Sequence, residues 1–363
     1  MGPLKGIRII ELAGIGPAPF AGMLLADMGA EVISIERSSD HTQRRLPECS
    51  RRGKRSIAID LKSTQGVKTL LALVEKADVF LEGFRPGVTE RLGVGPQACT
   101  ARNHRLIYAR MTGWGQEGPL AQAAGHDINY IVLTGALFAM GRAHEKPVPP
   151  LNLVGDLGGG GLFVAMGILA ALLERGTSGK GQVIDAAMID GAATLMGFFA
   201  SLHEMGEWST GRGVNLLDGG AHFYDCFETL DGKYVSIGAI EPQFYALLVE
   251  KAKLDPLIFA GQNDPAKWPE LKSRLEAVFQ SKTQAQWCEI LEGSDVCFAP
   301  VLDFIEARKH PHNLARNGYI DVDGMIQPAP APRFSRTVSE VRHGARAKGE
   351  DTEAVLSDWD VII

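Results

Sequence analysis

The stretch GIRIIELAGIGPAPFAGMLLADMGAEVISIER, residues 6–37, decides the fold. Residues 7–12 are a short apolar run, residues 13–19 (AGIGPAP) a Gly/Pro loop, residues 20–30 a helical segment closed by glycine, and residues 31–36 (EVISIE) a second strand. Strand, loop, helix and strand in that order make a βαβ unit, which calls for parallel pairing. The outline is also that of a dinucleotide fingerprint, but the details oppose it. Pro19 stands where the third glycine belongs, and prolines at 17 and 19 remove N–H donors that a pyrophosphate would need. A Walker loop is excluded as well. In RGTSGKGQ, Glu174 occupies the first glycine position and Gly181 the place of the magnesium-binding hydroxyl.

Working outward, SIAIDL, DVFLEGF, RLIYARMTG and GQVIDAAM read as further strands with helices between several of them, so the first half is expected to be a mainly parallel sheet. Near residue 205 the texture becomes rich in glycine and turn formers. CFETLDGKYVSIGAI then reads as a hairpin turning at Asp231-Gly232, and helical patterns dominate from about 242 to 310. The prolines of QPAPAPRFS form a connection returning to the first domain, and EDTEAVLSDWD closes as an acidic helix. The apolar run LFVAMGILAALL, 162–173, is expected to be a buried helix too short to span a membrane.

With 363 residues and 45% hydrophobic content the chain can bury a large core in about two domains. A formal net charge of −6 disfavours nucleic acid and anionic lipid as partners. Cys49, Cys99, Cys226, Cys288 and Cys297 are scattered without a CxxC pair, which suits reduced thiols in a cytoplasm. No export signal is read at the start, and no HExxH or Cys/His pattern suggests a metal.

Basic residues gather on the early loops: Arg37, Arg51, Arg52, Lys54, Arg55, Lys62, Arg85 and Arg91. Loops at the C-terminal ends of parallel strands converge on one crevice, so the set suggests an anionic, phosphate-bearing ligand. Three carboxylates and one histidine stand at element boundaries. Asp127 precedes an apolar helical run, as a cap would, with His126 beside it. Asp156 ends a strand-like run ahead of GGGG, which would let a ligand approach closely. Glu241 lies ahead of a helix whose first residue is Pro242, and a carboxylate there could also orient an imidazole.

Residues 6–37, GFRPGVTERLG, ARMTGWGQEGPLAQAAGHDINY, PPLNLVGDLGGG, GKGQVIDAAM and GAIEPQFY together resemble the α-methylacyl-CoA racemases of the family III CoA-transferase superfamily, in family order along nearly the whole chain. The resemblance implies an α/β chain with a large Rossmann-like domain, 1–190 and 325–363, and a smaller α+β domain, 219–310. Linkers would be 191–218 and 311–324, in an interlocked homodimer with shared active sites. It implies that His126 and Asp156 are the acid/base pair, with Glu241 of the partner subunit supporting His126. The backbone N–H at Asp127 would hold an oxyanion. Coenzyme A, part of the substrate and not a separate cofactor, would be held by Arg37, Ile59, Asp60, Leu61, Lys62, Gly83, Phe84, Arg85, Arg91, Gly125, His126, Asp127, Ile128, Asn129 and Tyr130. Transferases of the superfamily use the carboxylate matching Asp156 as a nucleophile and usually lack the histidine. The GHD of this sequence therefore favours the racemase over a transferase or a non-catalytic acyl-CoA-binding protein. Met188 and Met196 could form a soft surface for acyl tails, or simply pack in the core.

Overall fold

The computed structural model describes residues 2–37 and 49–361. The opening stretch forms β1 (Arg8–Leu12), a helix (Pro17–Asp27) and β2 (Glu31–Glu36). The prolines that spoil the fingerprint start the helix instead: Pro17 is its first residue, where a missing N–H costs nothing. Then come β3 (Lys54–Ala58), β4 (Val79–Glu82), β5 (Ile107–Thr112) and β6 (Val183–Ala187). All six pair in parallel in the order β3-β2-β1-β4-β5-β6.

Alternation along the strands builds a core on each face. Ile9, Val32, Val79, Leu81 and Ile107 pack with Ala21 and Leu25 of the first helix and Val164 and Ile168 of a later one. Ile10, Ile33, Ile57, Phe80 and Tyr108 pack on the other face with Leu70, Leu73, Val355 and Trp359. The last two belong to or follow the expected C-terminal helix, Thr352–Asp358. Because the chain fills one half of the sheet from β1 to β3 and then crosses to β4, the loops after β1 and β4 diverge and leave a crevice between them.

The chain divides into two compact units, residues 1–134, 150–196 and 317–363, and residues 135–149 and 197–316. Residues 135–149, expected in the large domain, belong with the second unit. The expected linkers contain structure. Residues 197–204 are a helix, and β10 (Tyr319–Val322) and β11 (Met325–Pro328) form a hairpin turning at Asp323 and Gly324, both at positive φ. In the second unit β7 (Tyr224–Glu228) and β8 (Tyr234–Gly238) make the expected hairpin, and β9 (Phe298–Val301) adds an antiparallel edge that the helical reading of 242–310 missed. Pro300 hides it, since proline suits only an edge strand.

The run 162–173 is also corrected. A continuous helical stretch, Leu153–Ser178, is long and apolar enough to cross a membrane by length and composition alone. Val164, Ile168 and Ala171 are buried, whereas Leu162, Met166 and Leu173 are exposed, so one side of the helix packs and the other does not.

The second unit buries His222 completely, in a cluster with Phe223 and Tyr245. Tyr245 Oη donates to the carbonyl of Phe259 at 3.0 Å, so it accepts from His222 Nε2 at 2.7 Å, and the bare Nδ1 has no partner among the described residues. Burial, helped by the charge of Lys272, pushes the imidazole down to about 4. The folded chain therefore binds fewer protons than the unfolded one between an ordinary 6.5 and 4, and stability falls as pH drops through that window, by on the order of 3 kcal/mol. Urea unfolding at pH 7.5 and 4.5 should show wild type losing that much more than His222→Gln. Equal losses would contradict it.

Candidate active site

A cleft of about 660 Å³ opens in the first unit where the loops after β1, β4 and β5 meet. It is lined by Gly16 and Pro17 of the first loop, Gly83–Arg85 of the second, and Trp114, Gly125, His126, Tyr130, Asn152, Asp156 and Met188. His126 and Asp156, thirty residues apart in sequence, thus face one space at the switch point of the sheet, where ligands of such sheets bind.

His126 is exposed and is itself the cap of the short helix Asp127–Val132, with extended backbone. Asn129 Oδ1 accepts its backbone N–H at 3.1 Å. Asp127, expected as the cap, is instead the first helical residue, and its side chain turns inward to become buried. Tyr130 fixes the approach to the histidine. Its hydroxyl donates to the carbonyl of Gly125, its ring packs edge-on against Trp114 at 4.8 Å, and a Cβ at Gly113 or Gly125 would strike it.

Asp156 does not end a strand. It lies in the first turn of a π-helical segment, Leu153–Leu162, wide enough for the N–H of Leu157 to reach the carbonyl of Asn152. The following glycines serve close packing, not ligand approach: a Cβ would meet the backbone of Ala192 at Gly159, Pro17 at Gly160 and Phe20 at Gly161. Asn152 Nδ2 donates to Asp156 Oδ2 at 3.1 Å. Burial raises the Asp156 carboxyl above its ordinary range, the Asn152 hydrogen bond opposes this, neighbouring Asp127 adds to it, and His126 opposes it. A raised carboxyl is closer to serving as an acid near neutral pH.

The basic loops separate into two groups. Arg52 is buried against Asp27 at 2.6 Å, Lys54 against Glu11 at 2.7 Å, Arg51 pairs with Glu36, and Arg55 with Glu31 and Asp358. These four, expected to help hold an anion, have internal partners and hold the fold. Arg37, Lys62, Arg85 and Arg91 are exposed and make no ion pair with the described residues. The Gly83–Arg85 loop is held by Glu82, which accepts the N–H of Phe84 at 2.7 Å while pairing with Arg110.

Of the residues expected to hold coenzyme A, Gly83, Phe84, Arg85, Gly125, His126, Asn129 and Tyr130 line the cleft. Arg37, Ile59, Asp60, Leu61, Lys62, Arg91, Asp127 and Ile128 do not, although Arg37, Ile59–Lys62 and Arg91 follow strands whose C-terminal ends share its edge. Met188 lines the cleft and packs in the core; Met196 does neither. Glu241 caps the helix Pro242–Lys251 in the second unit and is exposed. Asn152 and Trp114 were missed from sequence. The one available signal was Asn152 standing four residues before Asp156, one helical turn away.

The class of protein follows from comparison: residues 4–352 match the model of CoA-transferase family III, and the chain belongs to that family. A crystal structure of a CAIB/BAIF family protein from Brucella suis superposes with a TM-score of 0.85 at 26% identity, covering 99% of this chain and 100% of that one. Within the family, the chain is 48% identical to mouse alpha-methylacyl-CoA racemase, over 98% of this chain and 93% of that protein. It is 44% identical to the human protein of the same name, with the same coverage.

Proposed function

We propose that this chain interconverts the R and S forms of 2-methylacyl-CoA thioesters by 1,1-proton transfer, as an isomerase. The observation that carries this reading is His126 and Asp156 facing one cleft at the sheet's switch point, in a chain nearly half identical to named racemases.

His126 removes the α-proton of the S substrate, and Asp156 returns one on the opposite face of the planar enolate; the R substrate reacts in reverse. Two positioned groups supply a factor of about 10² to 10⁴, roughly 3 to 5 kcal/mol. One oxyanion donor adds about 2.7 to 4 kcal/mol, and the backbone N–H of Asp127 is the group we assign to it. The raised Asp156 carboxyl suits a residue that must both take and give a proton. Coenzyme A enters as part of the substrate, and the thioester itself activates the α-carbon, so the mechanism calls on no separate cofactor. Arg37, Lys62, Arg85 and Arg91 are assigned to its phosphates, supported by their exposure and lack of internal ion partners among the described residues.

The working form is proposed to be a homodimer, with Glu241 of the partner subunit orienting His126. The exposed Val132, Leu133, Leu162, Met166 and Leu173 support a covered apolar face over open solvent, as a dimer would supply. Five free cysteines support a reducing compartment such as the cytoplasm. Racemisation followed by chiral chromatography, with and without an added carboxylic acid, tests the reading: equal rates are expected. A requirement for the acid, with acyl-CoA exchange, would favour a transferase using Asp156 as nucleophile, and binding without turnover would favour a carrier.

A further inference from the structure

The two proton carriers sit on separate elements, and one side chain joins them. Asp127 Oδ2 accepts the backbone N–H of Asp156 at 2.7 Å, across 29 residues of sequence. The carboxylate is only 6% exposed and is not part of the cleft wall. Its other oxygen, Oδ1, is buried without a hydrogen-bond partner among the described residues. Keeping a carboxylate in that condition is costly, so the single bond it makes must matter to the arrangement. The two segments also close tightly there, since a Cβ on Gly155 would come within 2.6 Å of Asp127 Oδ2.

We infer that the Asp127 side chain is a brace: it ties the helix start carrying His126 to the π-helical turn carrying Asp156, and so sets the spacing of the two proton carriers without exchanging a proton itself. The inference rests on the proposed reaction and adds a positioning residue to it. The Asp156 carboxyl is then held from two sides. Asp127 fixes its backbone and Asn152 fixes Oδ2, leaving Oδ1 for the substrate. Proton transfer between groups on opposite faces tolerates little error, and a displacement of about 1 Å costs on the order of 100-fold in rate.

The test compares Asp127→Asn, Asp127→Ala and Gly155→Ala with wild type on a 2-methylacyl-CoA. Asparagine keeps an acceptor for the Asp156 N–H and should retain kcat within about tenfold. Its acidic limb should move to lower pH, because a negative neighbour that raises Asp156 has gone while His126 and Tyr130 still face it. Asp127→Ala and Gly155→Ala should each lose about 100-fold in kcat with KM within threefold, Gly155→Ala although every ionisable group remains. Should either fail to fold, the Asn variant decides alone: a retained rate with a shifted acidic limb supports the brace. A loss in Asp127→Asn as deep as that of Asp156→Ala would make Asp127 a proton carrier and overturn it, as would wild-type kcat in Asp127→Ala. Absence of racemisation by wild type would instead refute the reaction itself.

Discussion

Replacing Asp156 by alanine is expected to abolish inversion by about 10³-fold while leaving one half of the chemistry intact. His126 still faces the cleft in that variant and can take and return the α-proton of the S thioester on its own side. In deuterated water the S substrate should therefore gain α-deuterium without changing hand, while the R substrate stays inert. His126→Ala should show the mirror image. KM should change little, because each variant keeps Arg37, Lys62, Arg85 and Arg91, the cations proposed to hold the coenzyme A phosphates. Mass spectrometry of the chirally separated thioesters reads both quantities at once. A nucleophilic Asp156 predicts something different: its alanine variant would lose all acyl transfer, and wild type would show no exchange at the α-carbon.

Lys54→Ala is expected to destabilise the fold by about 3 to 5 kcal/mol. Lys54 on β3 and Glu11 on β1 meet across the intervening β2, with side chains only 3% and 2% exposed. The ammonium donates to both oxygens of Glu11, at 2.9 and 2.7 Å, and to the carbonyl of Pro19 at 2.8 Å. Removing it strands a buried carboxylate that the first helix crowds on one side, where a Cβ on Gly22 would strike Glu11. Burial holds Glu11 above its ordinary range even with Lys54 opposing. An acid raised on folding destabilises when ionised, so the loss should shrink as pH falls toward that raised value and grow as pH rises. Replacing the pair together, Glu11→Leu with Lys54→Met, should be far milder, because no uncompensated charge remains. Urea midpoints of the two variants and wild type check this; Lys54→Ala within about 1 kcal/mol of wild type would show the pair to be dispensable.

These cases also show what could be read from residues and what could not. The βαβ start was legible because its strands are rich in isoleucine and valine and Gly14, Gly16 and Gly29 fall between the elements. β3 begins at Lys54, two residues before its apolar pattern, because an ion pair lets a charged residue occupy a buried ladder position. Hydrophobic patterning has no sign for that. β9 was hidden by Pro300, and the β10-β11 hairpin by its brevity, although Asp323-Gly324 was a usable turn signal. His126 and Asp156 were recognised by sequence resemblance, not by periodicity, and their setting was misread. A π-helical turn has no compositional mark, and GGGG signals freedom of backbone as readily as it signals the close packing found here. Nor could charge alone separate Arg52 and Lys54, spent on buried carboxylates, from Arg37, Lys62, Arg85 and Arg91.

The most direct measurement starts from one pure enantiomer of a 2-methylacyl-CoA in deuterated water with no acceptor acid present, and follows handedness and α-deuterium together. Two proton carriers on opposite faces require that the inverted product carry one deuterium at the α-carbon and that both hands approach equal amounts from either start. Inversion without deuterium uptake, or retention of hand and of the α-proton in a chain that still binds the thioester, would contradict the account.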